Sequence, residues 1–84
     1  MKITFKLFAT LTDYLPPQAR HANAIELEVA QDASISQILE PFALPTKLVH
    51  LVLVNGLFVA PAERLSRTLK EGDTLAIWPP IAGG

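Results

Sequence analysis

Two short segments of strict alternation near the start limit this chain more than anything else in it. From Lys2 to Phe8, Ile3, Phe5 and Leu7 take one side and Lys2, Thr4 and Lys6 the other. From Ala24 to Val29, Ile25, Leu27 and Val29 alternate with Glu26 and Glu28. A period of two marks a strand with one buried face and one wet face. The stretch between them, Thr10 to Arg20, places Leu11, Tyr14 and Leu15 at near-helical spacing before Pro16-Pro17 halts it, and reads as a loop or short helix. Two such strands predict an antiparallel pair, and the pair must bury its apolar side against another part of the chain.

The covering element follows directly. Ser34 and Gln37 have the spacing of a capping box, in which each side chain satisfies a free amide at a helix start. Ile35, Ile38, Leu39 and Phe42 then recur on one helical face. Pro41 has no amide and clashes one turn back, so the regular helix is short. Val49 to Val54 is apolar except for His50 and predicts a strand. Asn55-Gly56 supplies the positive φ angles of a tight hairpin turn, and Leu57 to Ala60 returns. Pro61 ends that strand. Ala62 to Leu69 crosses over, with Arg64, Arg67 and Lys70 expected as an exposed basic face. Gly72 centres a second turn, and Thr74 to Trp78 forms the last strand. Pro79-Pro80 bars further pairing. The predicted class is α+β: a mixed five-stranded sheet with one main helix packed on one face. Residues 1–80 form the domain, and residues 81–84 form a flexible tail.

Composition narrows function. With 84 residues, half of them hydrophobic, the chain builds one small core and no deep cleft with its own walls. Absence of cysteine removes disulfides, thiolate metal sites and a cysteine nucleophile. Seven basic and eight acidic residues form no basic stripe, which argues against nucleic acid. No apolar run reaches bilayer length, and the start lacks the pattern of a signal peptide. These features predict a cytoplasmic protein with no membrane partner.

Familiar catalytic groupings are missing. His21 and His50 lack ligand spacing, so no metal is expected. Glu26 and Glu28 sit two apart on one strand face, which reads as a solvated edge rather than an acid–base pair. The serines have no histidine context, and Gly56 and Gly72 are isolated turn glycines. The chain is therefore not expected to be an enzyme.

The last residues, Gly83-Gly84, are different. Glycine makes up about 7% of ordinary sequence, so a closing pair arises by chance roughly 0.5% of the time. Without a Cβ, such an end threads a narrow channel and brings its backbone close to a reaction centre. A carboxylate on Gly84 can attack the α-phosphate of a nucleotide held by a separate enzyme. The resulting mixed anhydride makes the acyl carbon open to sulfide or a thiol. Gly83, Ala82 and Ile81 give the reacting residue passage, and Pro79-Pro80 stiffens the base of the arm.

Val52-Leu53-Val54-Asn55-Gly56, Leu69-Lys70-Glu71-Gly72-Asp73-Thr74-Leu75 and Pro79-Pro80-Ile81-Ala82-Gly83-Gly84 together resemble the MoaD/ThiS sulfur-carrier proteins, in order and over essentially the whole chain. The resemblance implies a ubiquitin-like β-grasp fold. It implies that Gly84 is adenylated by a ubiquitin-activating-like enzyme using ATP and magnesium, with no cofactor bound to the carrier itself. It further implies conversion to a thiocarboxylate that donates sulfur to a biosynthetic enzyme. Trp78-Pro79-Pro80 is similar to the aromatic-Pro-Pro segment of molybdopterin synthase small subunits, which implies the molybdopterin synthase large subunit as recipient and molybdenum-cofactor synthesis as pathway. Carriers for thiamine, cysteine or tungsten-cofactor synthesis, a lysine-linking protein modifier and a plain β-grasp interaction module are the alternatives.

Alternation also suggests a docking surface. With Leu75 and Ile77 in the core, Ala76 and Trp78 face outward. Val52 and Val54 join them if Leu51 and Leu53 point inward. Trp78, Pro79, Pro80, Val52 and Val54 are accordingly the expected partner-binding residues, with Trp78 as anchor.

Overall fold

Both alternating segments are strands in the computed structural model, which describes residues 1–80. β1 spans Lys2–Leu7 and β2 Ala24–Glu28. They run antiparallel, with Ile3 opposite Leu27 and Phe5 opposite Ile25. Their connection is more ordered than its sequence suggests. Two 3-10 helices, Ala9–Tyr14 and Pro17–Ala22, turn Leu11, Leu15 and Ala19 into the core. Pro17 opens the second of them, where a missing amide costs nothing.

The helix α1, Ile35–Leu39, carries the predicted capping box. The Gln37 amide donates to Ser34 Oγ at 3.2 Å, and the Ser34 amide donates to Gln37 Oε1 at 2.9 Å. Other amides of its first turn find partners in the later crossover: Ile35 donates to the Arg67 carbonyl and Ser36 to that of Arg64. These bonds satisfy the donors that every helix start leaves free. At Pro41 the helix tightens into a 3-10 turn, Glu40–Phe42. Ile35 and Ile38 are buried against the sheet.

β3, Leu51–Val54, and β4, Leu57–Phe58, are joined by Asn55 at φ +51° and Gly56 at φ +83°. Both central turn positions need positive φ, and this pair of residues supplies it. β5, Thr74–Trp78, lies between β1, to which it is parallel, and β3, to which it is antiparallel. The sheet order is β2-β1-β5-β3-β4, with α1 on one face. The core is formed by Ile3, Phe5, Leu7, Leu11, Leu15, Ile35, Ile38, Val52, Val54, Val59, Leu69, Leu75 and Ile77.

One predicted facing is reversed. Val52 lies opposite Ile77 and Val54 opposite Leu75. Directly paired residues share a face of the sheet. Both valines therefore point to the helix side, 0% and 2% exposed, and not to the open face. Leu51 and Leu53 take the open positions instead. The apolar run offered no alternation from which to choose between the two facings.

Candidate functional site

The open face divides into two halves. On β2 and β1 its residues are Ala24, Glu26, Glu28, Lys2, Thr4 and Lys6. On β5, β3 and β4 they are Thr74, Ala76, Trp78, Leu51, Leu53 and Phe58. The second half is apolar apart from its first residue. Phe58 is 59% exposed, whereas Leu57, paired with Val54, belongs to the other face. Contiguous exposed apolar surface of this kind marks an interaction site more often than scattered single residues do.

Trp78 ends β5 and is 37% exposed. It is held from several directions. Phe8, just past the end of β1, stacks on its indole at 3.9 Å between ring centroids and 5° between planes. The Phe8 amide donates to the Ile77 carbonyl, fixing the backbone from which that ring projects. Across the ladder Trp78 faces Leu51, and its carbonyl accepts the His50 amide at 3.1 Å. An aromatic pair fixed in this way presents a large, rigid apolar surface with little rotamer entropy left to lose on binding.

Of the residues expected to bind partners, Trp78 and Pro80 are exposed, whereas Val52, Val54 and Pro79 are buried. Pro79 follows the outward Trp78 by one residue, and alternation carries it to the buried side. Phe8, Leu51, Leu53 and Phe58 were not singled out by the sequence reading. The doublets Leu7-Phe8 and Leu57-Phe58, where alternation breaks, were the available signal for two of them. Ile81, Ala82, Gly83 and Gly84 lie outside the described residues.

The expected basic face is also corrected. Arg67 and Lys70 are exposed, but Arg64 is half-buried. Its guanidinium donates to the carbonyls of Val49 and His50, both at 3.1 Å, and burial draws its pKa below the usual arginine value. Arg64 thus ties the crossover to the entrance of β3. At the opposite end of β3, Asp73 accepts the Lys70 amide at 2.8 Å and Asn55 Nδ2 at 2.9 Å. These two bonds, the first the larger in effect, hold its carboxyl below the ordinary range. Asn55 Oδ1 in turn accepts the Thr74 amide. The two turns flanking the apolar half are therefore linked.

Among the described residues no three metal-ligating side chains come together, and no helix is long and apolar enough to cross a membrane.

Residues 1–82 match the family model described as Mut7-C ubiquitin. The chain belongs to this family. No curated protein matches it. Among solved structures, this Mut7-C ubiquitin chain is similar to SAMP1 from Haloferax volcanii, with 25% identity, a TM-score of 0.70 and full coverage of both chains. It is similar to a chain in the protein–protein complex of subunits 1 and 2 of molybdopterin-converting factor from Helicobacter pylori, with 18% identity, a TM-score of 0.63 and full coverage of both. It is also similar to a putative molybdopterin converting factor, subunit 1, from Pyrococcus furiosus, with 20% identity and a TM-score of 0.67 over 96% of this chain and 99% of that one. The fold of this Mut7-C ubiquitin member is the ubiquitin-like β-grasp, consistent with the MoaD/ThiS resemblance read from its motifs.

Proposed function

We propose that this chain is a ubiquitin-like sulfur carrier whose Gly84 carboxylate is adenylated and then converted to a thiocarboxylate. The observation that carries the reading is the apolar half-face around Trp78, placed where β5 leads toward Gly83-Gly84. Such a face grips a partner while the glycines reach into its reaction centre. The activating partner would be a ubiquitin-activating-like enzyme that binds ATP and magnesium. A carboxylate oxygen attacks the α-phosphorus and pyrophosphate leaves. Hydrosulfide then attacks the acyl carbon, AMP leaves with the bonding pair, and a proton is released to solvent. The thiocarboxylate so formed is the nucleophile that delivers sulfur.

For the recipient we favour the large subunit of molybdopterin synthase, so that this chain serves as the small subunit in molybdenum-cofactor synthesis. The complex of subunits 1 and 2 seen for the Helicobacter pylori relative supports a partner of that kind. Catalysis would then reside in the partner and not in the carrier. A second reading is supported by the likeness to SAMP1: the same activated glycine would instead be linked to lysines of other proteins. Intact-mass measurement after co-expression with the host's activating enzyme separates the two. Exchange of one terminal oxygen for sulfur supports the carrier, and lysine-linked adducts through Gly84 support the modifier. An unchanged mass for a folded chain, in both reconstitution and native extract, refutes both.

A further inference from the structure

β2 is an edge strand, and its outward backbone has no partner among the described residues. Val29 and Met1 exchange hydrogen bonds, the Val29 amide donating to the Met1 carbonyl at 2.8 Å and the Met1 nitrogen to the Val29 carbonyl at 2.7 Å. Bonded and non-bonded pairs alternate along an antiparallel ladder. Leu27 and Ile25 therefore bond inward to β1, and Ala24, Glu26 and Glu28 turn their N–H and C=O groups away from the sheet. Beside this edge runs an apolar groove of about 290 Å³ between β2 and α1, lined chiefly by Leu27, Val29, Ala33, Ile38, Pro41 and Phe42.

A strand added to this edge would meet two different surfaces, because successive side chains point to opposite faces. One set would enter the groove and the other would lie beside Glu26 and Glu28. Between His21 and Lys47 the chain carries four acids, Glu26, Glu28, Asp32 and Glu40, and no lysine or arginine. The inner neighbour of β2 already shows the matching pattern. Along β1, Ile3 and Phe5 face the core while Lys2 lies opposite Glu28.

We propose that the β2 edge accepts an extended segment of a partner protein in which apolar residues alternate with lysine or arginine. Main-chain bonds to Glu26 and Glu28 supply affinity, the groove takes the apolar side chains, and the two carboxylates select for basic residues. A second copy does not fit this edge. Two β2 strands would set glutamate beside glutamate, β1 is committed inside its own sheet, and β4 has only two residues. The site lies at the β2 edge, with β1 between it and the strand that carries Trp78, and is independent of the chemistry proposed for Gly84.

The test is titration of the ¹⁵N-labelled chain with an acetylated, amidated peptide of alternating lysine and valine. Amide shifts confined to residues 24–29 and 33–42 are expected. The double variant Glu26→Lys/Glu28→Lys, whose side chains are exposed, should weaken that peptide by roughly tenfold or more and gain affinity for a glutamate–valine peptide. Should the double variant lose its dispersed spectrum, Glu26→Gln alone and a fall in affinity with added salt carry the same expectation. Shifts centred on Trp78 and Phe58 would overturn the proposal. So would equal binding of a peptide N-methylated at alternate amides, or dilution-dependent shifts at β2 that reveal self-association. No shift at millimolar peptide would mean that the glutamates merely guard the edge, as charges on edge strands often do.

Discussion

The rings of Phe8 and Trp78 lie nearly parallel, 3.9 Å between centroids, although the two residues come from opposite ends of the sequence. Phe8 follows the first strand and Trp78 closes the last, and parallel pairing of those strands sets them side by side. Trp78 is the only tryptophan, so tryptophan fluorescence reports on this site. Phe8→Ala should cost about 1–2 kcal/mol, the pair interaction plus some lost burial. It should also speed the decay of Trp78 fluorescence anisotropy. Affinity for the activating enzyme should fall in Phe8→Ala and fall further in Trp78→Ala, as measured by calorimetric titration.

Adjacent residues of β3 should respond in opposite ways. Val52→Ala removes buried methyl groups from a closed core and should destabilise the fold by about 2 kcal/mol in denaturant unfolding. Leu53→Ala lies on the open face and should cost less than about 1 kcal/mol while weakening partner binding. The reverse pattern would restore the facing that the bare sequence suggested.

Asp73 makes a pH prediction. Hydrogen bonds from the Lys70 amide and from Asn55 lower its folded pKa below the unfolded value, which is about 3.9. Its contribution is then complete above the unfolded value and is lost as pH falls through the depressed folded one. Melting temperature should therefore drop on acidification below about pH 4. In Asp73→Asn that part of the drop should be smaller, and stability at neutral pH should be lower by about 1 kcal/mol.

Deleting Gly84 should abolish mass change by the activating enzyme and leave the melting temperature within error of the parent. Among the described residues, every member of the core cluster lies between Ile3 and Ile77. A large loss of thermal stability would contradict the role proposed for this residue.

Much of the fold was readable because several signals agreed at single positions. Ile3, Phe5 and Leu7 alternated against polar neighbours. Ser34 and Gln37 announced a helix start, and Asn55-Gly56 a hairpin. Where the signals were symmetric, reading failed. Val49 to Val54 is apolar at nearly every step, so only the pairing of Val52 with Ile77 decides which side is inside. The Ala9–Tyr14 and Pro17–Ala22 helices were blurred because 3-10 turns lack the period that marks an α-helix. Arg64 looked like a solvated charge, and its partners are backbone carbonyls, which leave no trace in side-chain patterning. At the candidate site the outward facing of Trp78 was legible. The residues that build a surface around it come from three other segments, Phe8, Leu51–Leu53 and Phe58, and only tertiary pairing unites them.

The parallel contact of β1 with β5 has a consequence for how the protein is made. Thr4 sits beside Thr74, 70 positions further along the chain. The middle of the sheet therefore cannot close until the chain through β5 has left the ribosome, and pairing over such separations is slow. A chain broken off before Trp78 would lack a central strand and half of the aromatic stack. Biosynthesis thus couples possession of the docking face to synthesis through Trp78, and chains ended before it would be poor competitors for the partners of the finished protein.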